Sequence, residues 1–179
     1  DLSNFLVKNV NDSRGTTSIS DMFLGCSNLK TLILGDFDTS HVRYFGDMFY
    51  ECSSLEELDI SGFDMHNAVD ISGMFYKCSN LKKLNMSRSN LCNVTEASYV
   101  LYGADNLKEL NAPKNCKESI ELPGTLAWSD SVGNVYTEIP CLNYSENLYR
   151  SDFAGVMLSG DKNDTASDVP LEEFGKKSF

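Results

Sequence analysis

Three cysteines recur at one spacing: Cys26, Cys52 and Cys78 stand 26 residues apart. Thiols at a fixed step could form disulfides, hold zinc or fill a core. Stacked repeats would bring equivalent Cα atoms to about 4.8 Å, the distance between neighbouring strands. Parallel side chains would keep their Cβ atoms near that spacing, above the mean of about 3.8 Å that a disulfide prefers. Zinc wants four ligands around one point, whereas a ladder spreads them along a line. A column of buried free thiols acting as small hydrophobes is the expected state. Cys92, Cys116 and Cys141 lie off this spacing, and the sequence does not choose whether or how two of them pair.

Other chemistry-bearing residues are sparse. His41 and His66 fall one residue out of register with each other, and neither stands near a repeated acid or nucleophile, so both read as surface histidines. The run Asp161-Lys162-Asn163-Asp164-Thr165 begins like a calcium loop with Glu172 at the twelfth place. Thr165 and Ala166, however, occupy positions that want an oxygen-rich ligand and a glycine, so a solvated turn is expected there and no metal or other cofactor is implied. No phosphate loop, nucleophile elbow or His-rich metal spacing is present, so the chain is expected not to be an enzyme. A net charge of -11 argues against binding nucleic acid through its phosphates and against an anionic membrane surface. No apolar run approaches the length of a membrane span.

The elements that would position these residues come from a longer phrase. Met22-Phe23-Leu24-Gly25-Cys26-Ser27-Asn28-Leu29-Lys30-Thr31-Leu32-Ile33-Leu34 returns as Met48 to Ile60, again as Met74 to Met86, and in worn form from Val100 to Ala112. Within each copy Leu32 and Leu34, Leu58 and Ile60, Leu84 and Met86, and Leu110 alternate with polar residues, the period of a short strand with one buried face. Leu29, Leu55, Leu81 and Leu107 enter the same core from before the strand, and Phe37 and Phe63 from after it. The Met-Phe pairs fill the opposite wall, where a few residues of helix or a tight turn bring the chain back. The expected fold class is α/β: a leucine-rich repeat solenoid of 26-residue coils with a parallel β-sheet on one face and a β-rich C-terminal cap.

Three segments follow. Residues 1–115 form the solenoid, which starts in mid-coil, because Asp1-Leu2-Ser3-Asn4-Phe5 matches Asp59-Ile60-Ser61-Gly62-Phe63; the natural protein is expected to be longer at its N-terminus. Asn11 to Ser18 read as a loop inserted on the return side. Ala112-Pro113 ends the last strand, since proline cannot donate to a further one. Residues 116–150 carry short runs with turn signals, among them Val132-Gly133-Asn134, and read as a β-hairpin cap with Trp128, Tyr136, Leu148 and Leu122 over the open end. Residues 151–179 form an extension in which Asp168-Val169-Pro170 favours a short helix.

On these residues, the Met-Phe-x-x-Cys-x-x-Leu-x-x-Leu copies and the Phe37-Asp38-Thr39-Ser40-His41-Val42 link, the chain resembles the BspA-like leucine-rich repeat surface proteins. That resemblance covers residues 1 to about 113, with Ala112 to Asn115, Leu122-Pro123, Trp128 and Gly133 to Pro140 similar to the region that closes such arrays. It implies an extracellular, cell-surface or secreted bacterial protein, an adhesin or host-interaction protein, without catalytic residues. The first functional expectation is therefore a non-enzymatic binding module. Its partner would be a host or neighbouring-cell protein or glycan, recognised through the outward strand positions Thr31, Ile33, Glu57, Asp59, Lys83, Asn85, Glu109 and Asn111. The alternative is an architectural spacer presenting a neighbouring domain. Neither nucleic acid nor direct membrane insertion is expected.

Overall fold

A computed structural model describes residues 17–34, 37–139 and 147–150. Its strands are β1 (Glu57–Asp59), β2 (Lys83–Asn85), β3 (Glu109–Asn111), β4 (Ile120–Glu121), β5 (Trp128–Ser129), β6 (Val135–Tyr136), β7 (Glu138–Ile139) and β8 (Asn147–Arg150). They form a six-stranded sheet in the order β1-β2-β3-β8-β5-β6 and a two-stranded sheet of β4 and β7. β1, β2 and β3 are parallel, with Leu58 opposite Leu84 and Leu84 opposite Leu110, partners 26 residues apart. Alternation explains their burial: each strand centres on a leucine that is at most 1% exposed. β8 then joins antiparallel, placing Leu148 opposite Leu110. The direction of the sheet reverses at this point.

The α/β leucine-rich repeat solenoid is thereby corrected. Among the described residues there is no helix, and the strands lie in two small open sheets, one of them mixed in direction. Backbone geometry on the return side supplies the reason. Asp21, Asp47, Gly73 and Tyr99 have φ of 61°, 53°, 61° and 59°, and Gly25, Glu51, Lys77 and Gly103 have φ of 69°, 55°, 52° and 76°. Two left-handed residues four apart interrupt every return segment, and a right-handed helix cannot pass through them. The segments instead fold as successive tight turns, such as Leu24 N to Asp21 O at 3.0 Å and Cys26 N to Phe23 O at 3.0 Å. Their remaining amides donate outward to the next segment: Phe23 N to Met48 O, Phe49 N to Met74 O and Phe75 N to Val100 O, each 2.9 Å. A helix would need those amides for itself.

Successive turn-and-strand units, called rungs below, are further tied by side chains. Asn67, Asn80, Asn93 and Asn106 donate through Nδ2 to the carbonyls of Ser40, Ser53, His66 and Ser79 in the preceding rung, at 2.6 to 2.8 Å. Asp59, Asp70 and Asn85 each accept the amide two residues on, holding the bend after the strand or bridge. Inside, Phe23, Phe49 and Phe75 stack in one column with centroids 5.3 and 5.6 Å apart. At the far end Trp128 is buried and donates to Pro123 O at 3.1 Å. Asp130 staples the following hairpin by accepting from the Val132 and Asn134 amides, Asn134 Nδ2 and the Tyr136 hydroxyl. Burial pushes its carboxyl up, but these donors outweigh that and hold it below the ordinary value.

The first rung is packed differently. Met22, Phe23, Leu29 and Leu32 are only partly buried and Cys26 is exposed, whereas their counterparts Met48, Phe49, Leu55, Leu58 and Cys52 are buried. Thr31 and Ile33 lie outside any strand. The proposed 151–179 extension and its helix, the calcium-like run, Cys141 and most of the Asn11 to Ser18 loop lie outside the described residues.

Gly73 tests the turn geometry. Its φ is left-handed, and a Cβ there would come within 2.1 Å of Asp47 Oδ1. Gly73→Ala should destabilise the chain by more than about 1 kcal/mol, read as a lower denaturant midpoint with unchanged slope. An unchanged midpoint would contradict the assigned turn.

Candidate functional site

The outward strand positions are placed in a row, but much of that row is engaged within the chain. Glu57 and Asp59 on β1 are exposed, Lys83, Glu109 and Asn111 are half-buried, and Asn85 is buried at 1% exposure. Asn85 Nδ2 donates to Asp59 Oδ2 at 3.1 Å, Asn111 Nδ2 to Asn147 Oδ1 at 2.6 Å, and Lys83 Nζ lies 3.3 Å from Glu109 Oε1. Thr31 and Ile33 do not continue the strand column. No solenoid face of eight displayed positions exists, so the binding module that would use that face is corrected by this geometry, and the spacer reading, which rested on a leucine-rich repeat array, is corrected with the fold.

The thiol ladder divides. Cys52 and Cys78 are buried and donate through Sγ to Phe23 O and Phe49 O, both at 3.1 Å, while Cys26 and Cys92 are exposed free thiols. Burial pushes Cys52 up to about 11 and Cys78 up to about 12, with each neighbouring thiol adding to the effect. His66 Nδ1 sits 2.6 Å from Asp64 Oδ1 on an exposed link. That contact holds the Asp64 carboxyl below its ordinary value, and burial opposes it only in part. Among the described residues no group of three or more His, Cys, Asp or Glu could hold a metal ion.

A different feature dominates the surface. Tyr50, Tyr76 and Tyr102 occupy one position of successive rungs and stack outside the core, with centroids 4.6 and 5.2 Å apart and planes within 18°. Tyr99 meets Tyr102 edge-on at 5.9 Å and 85°. Lys77 Nζ lies 5.3 Å from the Tyr76 ring and 3.4 Å from Glu51 Oε1, capping one flank. The exposed end of the column is Tyr99 and Tyr102, at 65% and 57% exposure. They border a cleft of about 360 Å³, walled on one side by Tyr99 to Gly103 and on the other by Glu121 to Thr125, with Asp105 at its edge. Arg150 secures that edge from below by donating to Asp105 O. The 26-residue spacing carries the signal of this column, because Tyr50, Tyr76 and Tyr102 share it, outside the apolar positions that define the core.

Comparison with known families settles membership. The model of the family described as "Mycoplasma protein of unknown function, DUF285" matches residues 1–113, more than half of the chain. This chain belongs to the DUF285 family. No curated protein and no solved structure matches it. The resemblance to BspA-like leucine-rich repeat surface proteins is corrected accordingly, since the match is to DUF285 and the helix-free turns do not fit that fold. The adhesin reading drawn from that resemblance loses its support with it.

The DUF285 repeat makes a prediction about its thiols. Thiolate is the reactive form, so at pH 8 iodoacetamide should label Cys26 and Cys92 in the native chain and leave Cys52 and Cys78 unlabelled until denaturant is added. Rapid native labelling of Cys78, followed by peptide mass mapping, would contradict the buried column.

Proposed function

We propose that this DUF285 chain is a non-catalytic protein that docks another protein through its terminal tyrosines. The observation that carries the reading is the exposed aromatic edge formed by Tyr99 and Tyr102 at the end of the Tyr50-Tyr76-Tyr102 stack. Tyrosine offers large contact area with two rotatable bonds and a polar tip, and it is enriched where interfaces concentrate their binding energy. Here the stack fixes the Tyr102 ring before any partner arrives, which lowers the ordering cost of binding. A net charge of -11 supports a protein partner over nucleic acid.

The chemistry elsewhere supports the non-catalytic part. Burial holds the Cys52 and Cys78 thiols protonated, His66 Nδ1 is paired with Asp64, and Asp130 accepts four hydrogen bonds. The exterior of the cell is the location we propose, on the sequence expectation alone; a chain that resists protease on intact cells but is cut after lysis would contradict it.

A photo-crosslinking residue placed at Tyr102 tests the docking, with the same residue at Glu57 of β1 as the comparison. Crosslinks to a discrete protein from Tyr102 and none from Glu57 are expected. Equal crosslinking from both positions, or none from Tyr102, would overturn the reading.

A further inference from the structure

On the return side, within residues 19–25, 45–51 and 71–77, the backbone hydrogen bonds between rungs all point forward, although the strand side donates both ways. The amides of Asp21, Phe23 and Gly25 donate to the carbonyls of Gly46, Met48 and Tyr50; those of Asp47, Phe49 and Glu51 donate to Ser72, Met74 and Tyr76; and those of Gly73, Phe75 and Lys77 donate to Ser98, Val100 and Tyr102. With Ile19, Phe45 and Ile71 donating likewise to Tyr44, Asp70 and Glu96, each of the first three rungs gives four donors forward, three of them from the turn itself. In the fourth rung the corresponding donors are the amides of Tyr99, Leu101 and Gly103, and among the described residues none of them has an acceptor. Continuing the step would bring residues 124 to 128 into the receiving position. Instead, residues 121 to 125 stand off across the cleft of about 360 Å³, so the ladder ends on three amides in the cleft wall. An amide left without an acceptor away from water costs free energy, and Leu101 is only 1% exposed.

We propose that this cleft binds an extended peptide segment as one more rung, with the segment's carbonyls accepting from the amides of Tyr99, Leu101 and Gly103 and a basic side chain held among Tyr99, Tyr102, Asp105 and Glu121. Strand addition to an open hydrogen-bonding edge is an established mode of peptide capture: the backbone supplies affinity and the side-chain surroundings supply choice. The choice here is for a cation. Among the residues lining the cleft the charged ones are Asp105 and Glu121, beside two tyrosine rings set edge-on to each other; the Arg150 guanidinium lies at the rim, donating to Asp105 O and 3.8 Å from where a Gly124 Cβ would stand. Aromatic faces and carboxylates together favour guanidinium or ammonium groups. An acceptor-only ligand such as a free carboxylate would meet the donors but be repelled by these acids.

This inference rests on the proposed protein docking and names the part of the partner that enters. It is tested on the full chain with an acetylated, amidated pentapeptide Ser-Val-Arg-Val-Ser, its glutamate counterpart Ser-Val-Glu-Val-Ser, and N-acetylarginine amide, each followed by amide NMR shifts and hydrogen exchange. The arginine peptide should shift the Tyr99, Leu101 and Gly103 amides saturably and slow their exchange. It should bind at least about fivefold more tightly than the glutamate peptide, and Glu121→Gln with Asp105→Asn should remove about that preference. Shifts centred on β1, equal affinity for both peptides, or equal affinity for N-acetylarginine amide would each overturn the proposal. Crosslinking from Tyr102 to a folded partner, with no peptide effect at these amides, would sink this inference and leave the docking reading standing.

Discussion

The backbone ladder between rungs is the constraint on which the rest depends. Each of the first three return segments sends alternate amides to the segment after it, at 2.7 to 3.1 Å, and keeps the others for its own tight turns. Helical hydrogen bonding is thereby excluded, because the same donor cannot serve both. Left-handed residues at two places per rung are what allow the turns to alternate in this way. Once the backbone is set, equivalent side chains must fall in columns about one strand spacing apart. Phe23, Phe49 and Phe75 stack inside, and Tyr50, Tyr76 and Tyr102 stack outside, for the same geometric reason.

A directional ladder has two unlike ends. Carbonyls of Ser20, Met22 and Leu24 hold the positions that in later rungs accept from the rung before, while amides of Tyr99, Leu101 and Gly103 hold the donor positions of the last rung. Side chains differ as sharply. At the first rung, Met22, Phe23, Leu29 and Leu32 are half-covered apolar groups. On the sheet side of the last rung, β8 turns the edge antiparallel and Asn147 meets Asn111. Closure of the sheet there is complete, but closure of the turn side is not, and the cleft beside Tyr99 is the consequence.

The spacing of 26 residues was visible in the sequence as a repeat, but what it folds into was not. Apolar periodicity located the leucines that centre β1, β2 and β3, and it located Cys52 and Cys78 inside. It could not reveal the left-handed columns, because Asp21, Asp47, Gly73 and Tyr99 share a conformation across three residue types. With that signal missing, the sequence leaves a few residues of helix and a tight turn as alternatives where tight turns stand. Outward strand positions were read as displayed because alternation reports which face a residue takes; it says nothing of whether an asparagine on that face is already spent on its neighbour, as Asn85 and Asn111 are. Cys26 was expected inside because its copies are, yet burial in a ladder depends on having a rung on both sides.

Hydrogen exchange of the return-side amides, measured residue by residue in the free chain, tests the directional ladder most directly. Phe49 and Phe75 should exchange slowly, at rates set by global unfolding, and Leu101, equally buried but with no receiving carbonyl, should exchange orders of magnitude faster. Equal protection of Phe49, Phe75 and Leu101, or fast exchange at all three, would contradict the account.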